Sequence, residues 1–563
     1  MAIEGSHEEV LKFDVDALLA ELALADNGSI AQATEPKPLP ERFTEVDVKI
    51  MELSSTGDGL GIIEGEDSET RQIYTVPFTV PGDVVRAKVI VHHQKDRHSM
   101  TDYIKVLTPS PLRDDSRVFC KYFSSCSGCQ FQMLDYSEQL KHKRSIVEKA
   151  FKNFSSLPEH LVPQVLDTMG SPLDRGYRTK LTPHFDAPPG ARSRSNRRSG
   201  IKPTWEKVPE IGFMLKGRRI TLDIEDCPIG TDAVRAGMKR ERKRVVEQLD
   251  KYSKGATILL RESTERVPTS EVPAQLPEDV IAVPVPGTDK TDLKSCISNS
   301  MAESREYIDK YEFLNPAGSF FQNNNSILSP FTQYIRDNII PPSAPGAKPV
   351  KYLIDAYSGS GLFTVTLSGM FEQSMGIDVA TQSIEYASKN AAINGIPPTS
   401  ASFLAADAAE LFKKVTYPAD ETVVVIDPSR KGCDDNFLRQ LLAFGPRRVV
   451  YVSCNVHTQA RDVGVLVHGY LNGRDEKAGR GRRYRIESLR GFDFFPQTGH
   501  VEGVAVLDRV DGEASEVVPA VAEVSEEVKE NLSNDVADAE SLIGTGAVDA
   551  PMAGAEENQN KAQ

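Results

Sequence analysis

No window of the 563-residue sequence approaches the roughly 18 consecutive apolar residues that a membrane-spanning helix requires. Residues Met1 to Val10 lack a basic stretch followed by an apolar core, and they lack the Arg-rich, acid-poor character of an organelle presequence. A soluble intracellular protein is expected, in cytoplasm or nucleus, with a mitochondrial address left open and no obligate protein partner. Cysteine is scarce: seven residues, at 120, 126, 129, 227, 296, 433 and 454, odd in number and unevenly spaced. That set excludes a disulfide framework and points to metal binding or catalysis in a reducing compartment. Positive charge is lacking overall, with a formal net charge of -15. Spread evenly, such a charge would exclude a nucleic-acid partner, because phosphate binding relies on Lys and Arg. Residues 511–563, however, hold 13 acidic residues against Lys529 and Lys561, so the other 510 residues carry only -4. They contain basic clusters of their own.

Residues 1–45 hold one amphipathic stretch, Val10 to Leu24, within a tail expected to be poorly ordered. From 46 to 110, short alternating segments (Val46 to Leu53, Gly59 to Ile63, Gln72 to Val80, Val84 to His92, Asp102 to Leu107) are broken by turn residues and predict a small OB-like β-barrel. A central α+β domain is placed at 111–313. It opens with Cys120-x5-Cys126-x2-Cys129, and Cys227, in Cys227-Pro228, is the best fourth ligand. Four thiolates suit zinc or an iron-sulfur cluster, and ligand type does not choose between them. A Lys-rich helix is predicted over Tyr136 to Phe154. Tyr177 to Pro183 and Glu210 to Phe213 read as paired strands, Arg192 to Lys202 as a basic surface loop, and Pro268 to Pro277 as an insertion within an uninformative stretch, 245–310.

Residues 314–510 alternate strands and helices regularly. Strands are predicted at Lys351 to Tyr357, Ser374 to Asp378, Ser402 to Leu404, Thr422 to Ile426, Arg448 to Val452, Arg485 to Gly491 and Val504 to Arg509. This is the pattern of an α/β, doubly wound, Rossmann-like sheet, in which chemistry sits beyond the carboxyl ends of the strands. The first strand runs into Tyr357-Ser358-Gly359-Ser360-Gly361, a turn over which the backbone can approach a ligand. Asp378, 17 residues after Gly361, is placed to accept ribose hydroxyls. The third position after Gly361 is Thr364, so the dinucleotide fingerprint is incomplete and S-adenosylmethionine fits better than NAD. Asp407 fits an adenine contact or an N-cap. The apolar run Val449 to Val452 ends on Ser453-Cys454-Asn455, which sets a thiol at the sheet's mouth. By itself Cys454 also fits a core cysteine.

These residues together resemble the RNA uracil-5 methyltransferase family over roughly residues 46–509, outside the 245–310 stretch. The resemblance implies that the barrel is a TRAM domain, that the fold is a class I methyltransferase, and that Cys120, Cys126, Cys129 and Cys227 hold a [4Fe-4S] cluster. It implies S-adenosyl-L-methionine as cofactor at Gln322, Tyr357, Asp378 and Asp427, with Asp427-Pro428-Ser429-Arg430 matching the family's Asp-Pro-Pro-Arg turn. Cys454 is the implied nucleophile and Glu502, in Phe495-Pro496-Gln497-Thr498-Gly499-His500-Val501-Glu502, the implied general base, with His500 its rival. Two positions depart: Leu362 stands where bacterial members often have Asn, and Ser429 replaces a proline. The extended tails favour the fungal tRNA branch, which methylates the T-loop uridine at position 54. A ribosomal RNA uridine, or a non-catalytic RNA-folding module, are the alternatives. A cytosine-5 enzyme is disfavoured because Ser453, not Pro, precedes the cysteine.

The chemistry explains the residue types. Uracil C5 is too weak a nucleophile to take a methyl group from a sulfonium. A thiolate adding at C6 converts the ring to an enolate, Arg430 or a backbone N–H can meet its oxygen, and a base must afterwards remove the C5 proton.

Overall fold

Two runs, Thr422–Ile426 and Arg448–Ser453, are buried at every residue. A strand buried on both faces belongs at the centre of a parallel sheet covered by helices, and that is where both lie. The computed structural model describes residues 5–26, 38–65, 71–191, 204–342, 346–406, 412–471 and 482–510. The basic loop expected at Arg192 to Lys202, Asp407, and the acidic segment 511–563 lie outside the described residues.

Strands β1 (Glu45–Leu53), β2 (Gly59–Ile62), β3 (Ile73–Val76), β4 (Val84–His93) and β5 (His98–Thr108) close into a barrel in the order β1-β2-β3-β5-β4. The tail expected to lack order before it is, over α1 (His7–Asp26), a helix. The reason is a buried face: Leu11, Val15, Leu18 and Leu19 pack on Leu60 and Ile73 of the barrel. Asp14, also buried, accepts from Ser55 N (2.6 Å) and Oγ (3.1 Å).

Helix α2 (Tyr136–Phe154) has the predicted limits, capped by Asp135, whose side chain accepts from Ser137 N (2.9 Å). The strand β6 (Leu166–Met169) and helix α3 (Asp232–Glu247) follow. The pairing expected between Tyr177 to Pro183 and Glu210 to Phe213 is offset: His184 pairs with Gly212, while Lys180–Leu181 pairs with Leu260 and Arg261. The stretch from which the sequence yielded least is mostly antiparallel sheet, with Leu260–Pro268 against Lys290–Ile297. Several of its ion pairs are internal, among them Arg261 with Glu306 and Arg266 with Asp292, so its polar residues conceal a packed sheet.

The C-terminal part contains α4 (Leu328–Asn338), β7 (Tyr352–Ala356), α5 (Leu362–Leu367), β8 (Gln373–Asp378), α6 (Thr381–Ile393), β9 (Ala401–Ala405) and β10 (Thr422–Ile426). After these come α7 (Asp435–Phe444), β11 (Arg448–Ser453), α8 (Val456–His468), β12 (Arg483–Phe492) and β13 (Glu502–Val510). The sheet order is β9-β8-β7-β10-β11-β13-β12-β6. The first five are parallel, β13 runs antiparallel to β11 and to β12, and β6 of the central segment adds in parallel at the edge. Ile146, Val147, Ala150 and Phe151 of α2 join the core on one face of this sheet, so the central segment is built into the sheet's layers rather than appended to them.

Candidate active site

The order of strands reverses between β7 and β10, and the crevice at such a switch point is where doubly wound sheets bind ligands. Tyr357, just past β7, and Asp427, just past β10, flank it. Tyr357 has φ +63° and its ring packs on Phe437. Gly359 (φ +53°) has no other atom within 4 Å of where a side chain would start, whereas at Gly361 (φ +90°) a Cβ would press on Ala387 at 3.2 Å and Phe403 at 3.3 Å. The first glycine therefore leaves room for a ligand and the second seats α5 on α6. Asp378, at the end of β8, accepts from Gly359 N (2.9 Å) and Ala380 N (2.8 Å), which ties it to the glycine turn. Thr364 supplies what the missing glycine does not: its N–H (2.8 Å) and Oγ1 (2.7 Å) both donate to the buried Asp355. Burial raises the pKa of Asp355 to about 7. Gln322 is half-buried on the loop before α4, between Phe321 in the core and Asn323, whose carbonyl accepts from Thr179 N (2.9 Å). Leu362 is packed in the core, so it offers no polar contact where Asn stands in bacterial members.

Cys454 follows β11 directly, and Glu502 begins β13. Ser453 pairs with Gly503 in the antiparallel register, which sets Cys454 and Glu502 across from one another at the end of the ladder. Their titration reflects a shared site. Burial, then Glu502 and Asp427, raise the Cys454 thiol to about 12 while Arg430 opposes them. Burial and Asp427 hold Glu502 well above the usual carboxylate range, again against Arg430. Asp427 is raised by burial and by Asp355. Asp427, Arg430, Cys454 and Glu502 thus form one electrostatic cluster.

The neighbours of the thiol fix its loop. Asn455 caps α8, accepting from His457 N (3.1 Å), and its Nδ2 donates to Arg430 O (3.0 Å). Thr458 Oγ1 can donate to the same carbonyl (3.1 Å). Gln459 Nε2 donates to Tyr451 O (2.7 Å) and to Gly503 O (3.1 Å), joining β11 to β13 beside the cluster. A side chain at Gly503 would collide with that amide. His500 lines a cavity at an exposed position, and desolvation there, then nearby Arg430, lowers its pKa, so it is neutral at pH 7.

The cavity, about 280 Å³, is lined by Cys120, Cys126, Cys129 and Cys227 and also by Arg430 and His500. The four predicted ligands therefore converge although about 100 residues separate Cys227 from the rest. Burial raises all four thiols, and Cys129, at about 12, is raised further by each of the other three. Among the described residues no three His, Cys, Asp or Glu side chains are grouped closely enough to hold a single metal ion. The thiols surround a space rather than a point.

Comparison with known proteins bears on this arrangement. Residues 301–510 match the family model for tRNA (uracil-5-)-methyltransferase, and residues 46–112 match the TRAM domain of tRNA (uracil(54)-C(5))-methyltransferase. Over 513 residues the chain is 40% identical to the tRNA (uracil(54)-C(5))-methyltransferase of Schizosaccharomyces pombe, covering 90% of this chain and 84% of that one. The chain belongs to the tRNA (uracil-5-)-methyltransferase family. The Saccharomyces cerevisiae protein of the same name is 38% identical over 534 residues, 89% of this chain and 81% of that one. In fold, the chain matches the crystal structure of Pyrococcus abyssi tRNA (uracil-54, C5)-methyltransferase in complex with S-adenosyl-L-homocysteine. The TM-score is 0.53 at 23% identity, covering 82% of this chain and 100% of that one.

For this family member the barrel is the TRAM domain, and the α/β sheet is the methyltransferase fold. Sequence reasoning missed Thr364 and Gln459. Both are polar residues on buried helix faces, and that was the available signal.

Proposed function

We propose that this chain transfers the methyl group of S-adenosyl-L-methionine to C5 of a uridine in tRNA, the T-loop uridine 54. The observation that carries the mechanism is the register opposing Cys454 to Glu502, with Asp427 and Arg430 in the same cluster. Cys454 Sγ bonds to C6, and the ring's electrons move onto its carbonyl oxygen, which Arg430 faces as donor. C5 takes the methyl group and S-adenosylhomocysteine leaves. Glu502 takes the C5 proton, the C5–C6 double bond re-forms, and the C6–S bond breaks to return the thiolate. A sulfonium in the crevice offsets the mutual repulsion of Asp427, Glu502 and the forming thiolate. Gln322, Tyr357, Asp378 and Asp427 are the proposed contacts of this co-substrate. The target base must leave its stack to reach the sheet's mouth.

The four cavity-lining thiols fit a [4Fe-4S] cluster better than one zinc ion, because they enclose a volume instead of closing on a centre. When bound, the cluster joins the 120–129 loop to Cys227 and supplies no chemistry to the methyl group. Incubation with labelled S-adenosylmethionine and unmodified tRNA, followed by nucleoside mapping, tests the activity; label in ribosomal RNA alone would redirect the substrate. A 5-fluorouridine tRNA, whose C5 fluorine cannot leave as a cation, should trap an adduct through Cys454. Iron and sulfide content with visible charge-transfer absorbance tests the cluster, and colourless, iron-free protein from anaerobic preparation would reject it.

A further inference from the structure

Glu502 is held by the sheet on one side only. It is the first residue of β13, and the segment before it, Asp493 to His500, has no helix or strand. At the middle of that segment Gln497 is buried with φ +71°. The left-handed region is unfavourable for a residue that carries a side chain, so neighbouring structure must impose the conformation.

The constraint comes from residues 130–143. Gln497 O accepts from Gln130 N (2.7 Å) and Phe131 N (3.2 Å). Gln497 N donates to Gln139 Oε1 (3.1 Å), and Gln139 Nε2 donates to Gln497 Oε1 (3.1 Å). Gln130, immediately after Cys129, also accepts from Gly499 N (3.0 Å) and donates to Thr56 O of the barrel (2.9 Å). A Cβ at Gly499 would lie 3.2 Å from Gly57 Cα, so barrel, cysteine loop and base loop meet there with no space for a side chain. Tyr136, Gln139 and Lys143 form one stripe of α2 at helical spacing. Tyr136 donates to Asp493 Oδ2 (3.0 Å), and Lys143, fully buried, donates to Asp493 Oδ1, Phe495 O (3.0 Å) and His500 O (2.7 Å).

We propose that Gln139 and Gln130 are positioning residues for Glu502: the segment beginning at the cysteines sets the place of the carboxylate through Gln497 and Gly499. This rests on the reading of Glu502 as general base. Methyl transfer needs Cys454 and the methyl donor, whereas release of the C5 proton and of the C6–S bond needs the carboxylate in place. Loosening the grip therefore separates two steps that a general loss of structure would slow together.

The test uses the full-length protein with tRNA carrying 5-tritiated uridine and carbon-labelled S-adenosylmethionine. Methyl transfer, tritium release and denaturant-stable protein–RNA adduct are followed in one turnover. Gln139→Met keeps side-chain length and removes both bonds to Gln497. It should transfer methyl within about 3-fold of the unsubstituted protein, release tritium about 10- to 100-fold more slowly, and accumulate a methylated adduct. Should Gln139→Met not fold, Gln130→Met, at a half-buried site, gives the same readouts. Equal slowing of methyl transfer and tritium release, with no adduct, would make these residues merely structural and overturn the proposal. Glu502→Gln is run in parallel and should stall as methylated adduct. If it releases tritium at the normal rate, the base assignment itself has failed and the proposal falls with it.

Discussion

The catalytic sheet and the cysteine-bearing central segment place their functional residues in opposite ways. In the sheet, Tyr357, Asp378, Asp427, Cys454 and Glu502 each stand at the end of a regular strand, and strand order with register brings them together. In the central segment, Cys120, Cys126, Cys129 and Cys227 lie outside helices and strands, and they converge only because loops distant in sequence pack around one cavity. The difference teaches that regular structure positions the proposed reacting groups here, while irregular structure gathers the four cysteines. Even Glu502, which belongs to the sheet, depends on the other region for the path of its loop.

The sharpest way to break this contrast is at the reacting groups. Cys454→Ala should lower kcat on the order of 10⁴-fold or more, with no adduct to 5-fluorouridine tRNA and an unchanged melting temperature. Substantial turnover by that variant would remove the sheet's claim to the chemistry. Next is the joint between the strands. Gln459→Leu leaves Tyr451 O and Gly503 O without their shared donor and should reduce kcat by about 10- to 100-fold, since Cys454 and Glu502 depend on the alignment of β11 with β13. A purely thermal effect, with kcat intact, would show that backbone pairing alone keeps them aligned.

Acid–base behaviour sharpens the comparison further. In the proposed mechanism Cys454 and Glu502 act deprotonated, and both have raised pKa values, so kcat/KM should fall as pH drops and still be climbing above pH 7. Arg430→Met removes the cation that favours both deprotonated forms, and the whole profile should move to higher pH, with about 10-fold lower activity at neutrality. A profile that keeps its position would take Arg430 out of the cluster. The smallest effect on catalysis belongs to the N-terminal helix. Asp14→Ala leaves Ser55 N unpaired and Lys149 with Glu52 as its remaining carboxylate, costing about 1–3 kcal/mol in urea unfolding while kcat changes less than about 3-fold.

Stability should also decline on the acid side, because half-buried His142 and buried His457 are neutral. Their pKa values, about 3 and about 4, lie below the unfolded value near 6.5. The unfolded chain therefore binds more protons as pH falls below about 6.5, and urea midpoints should drop from there toward pH 4.

Much of the catalytic sheet was legible in the sequence. Thr422–Ile426 was placed to the residue, and Arg448–Ser453 within one, because an unbroken β-branched run bounded by turns has few other conformations. Helix α2, expected as a Lys-rich helical stretch, has the limits read from the sequence. Less visible was the stretch from 245 to 310, whose strands carry ion pairs where apolar alternation would have marked them. Helix α1 was seen as amphipathic and still expected to lack order, since nothing within it announces that a barrel face lies opposite.

From sequence alone came the candidate thiol, the acidic strand ends, the glycine turn and the four spaced cysteines. These signals are local, and side-chain chemistry with the periods of helix and strand encodes them. Only the tertiary structure decided that Cys454 faces Glu502, that Cys227 joins the other three thiols, and that Gln139 grips Gln497 from 358 residues away. Contacts at that separation arise from how packed layers exclude water and satisfy buried polar groups, and no short window of residues contains them.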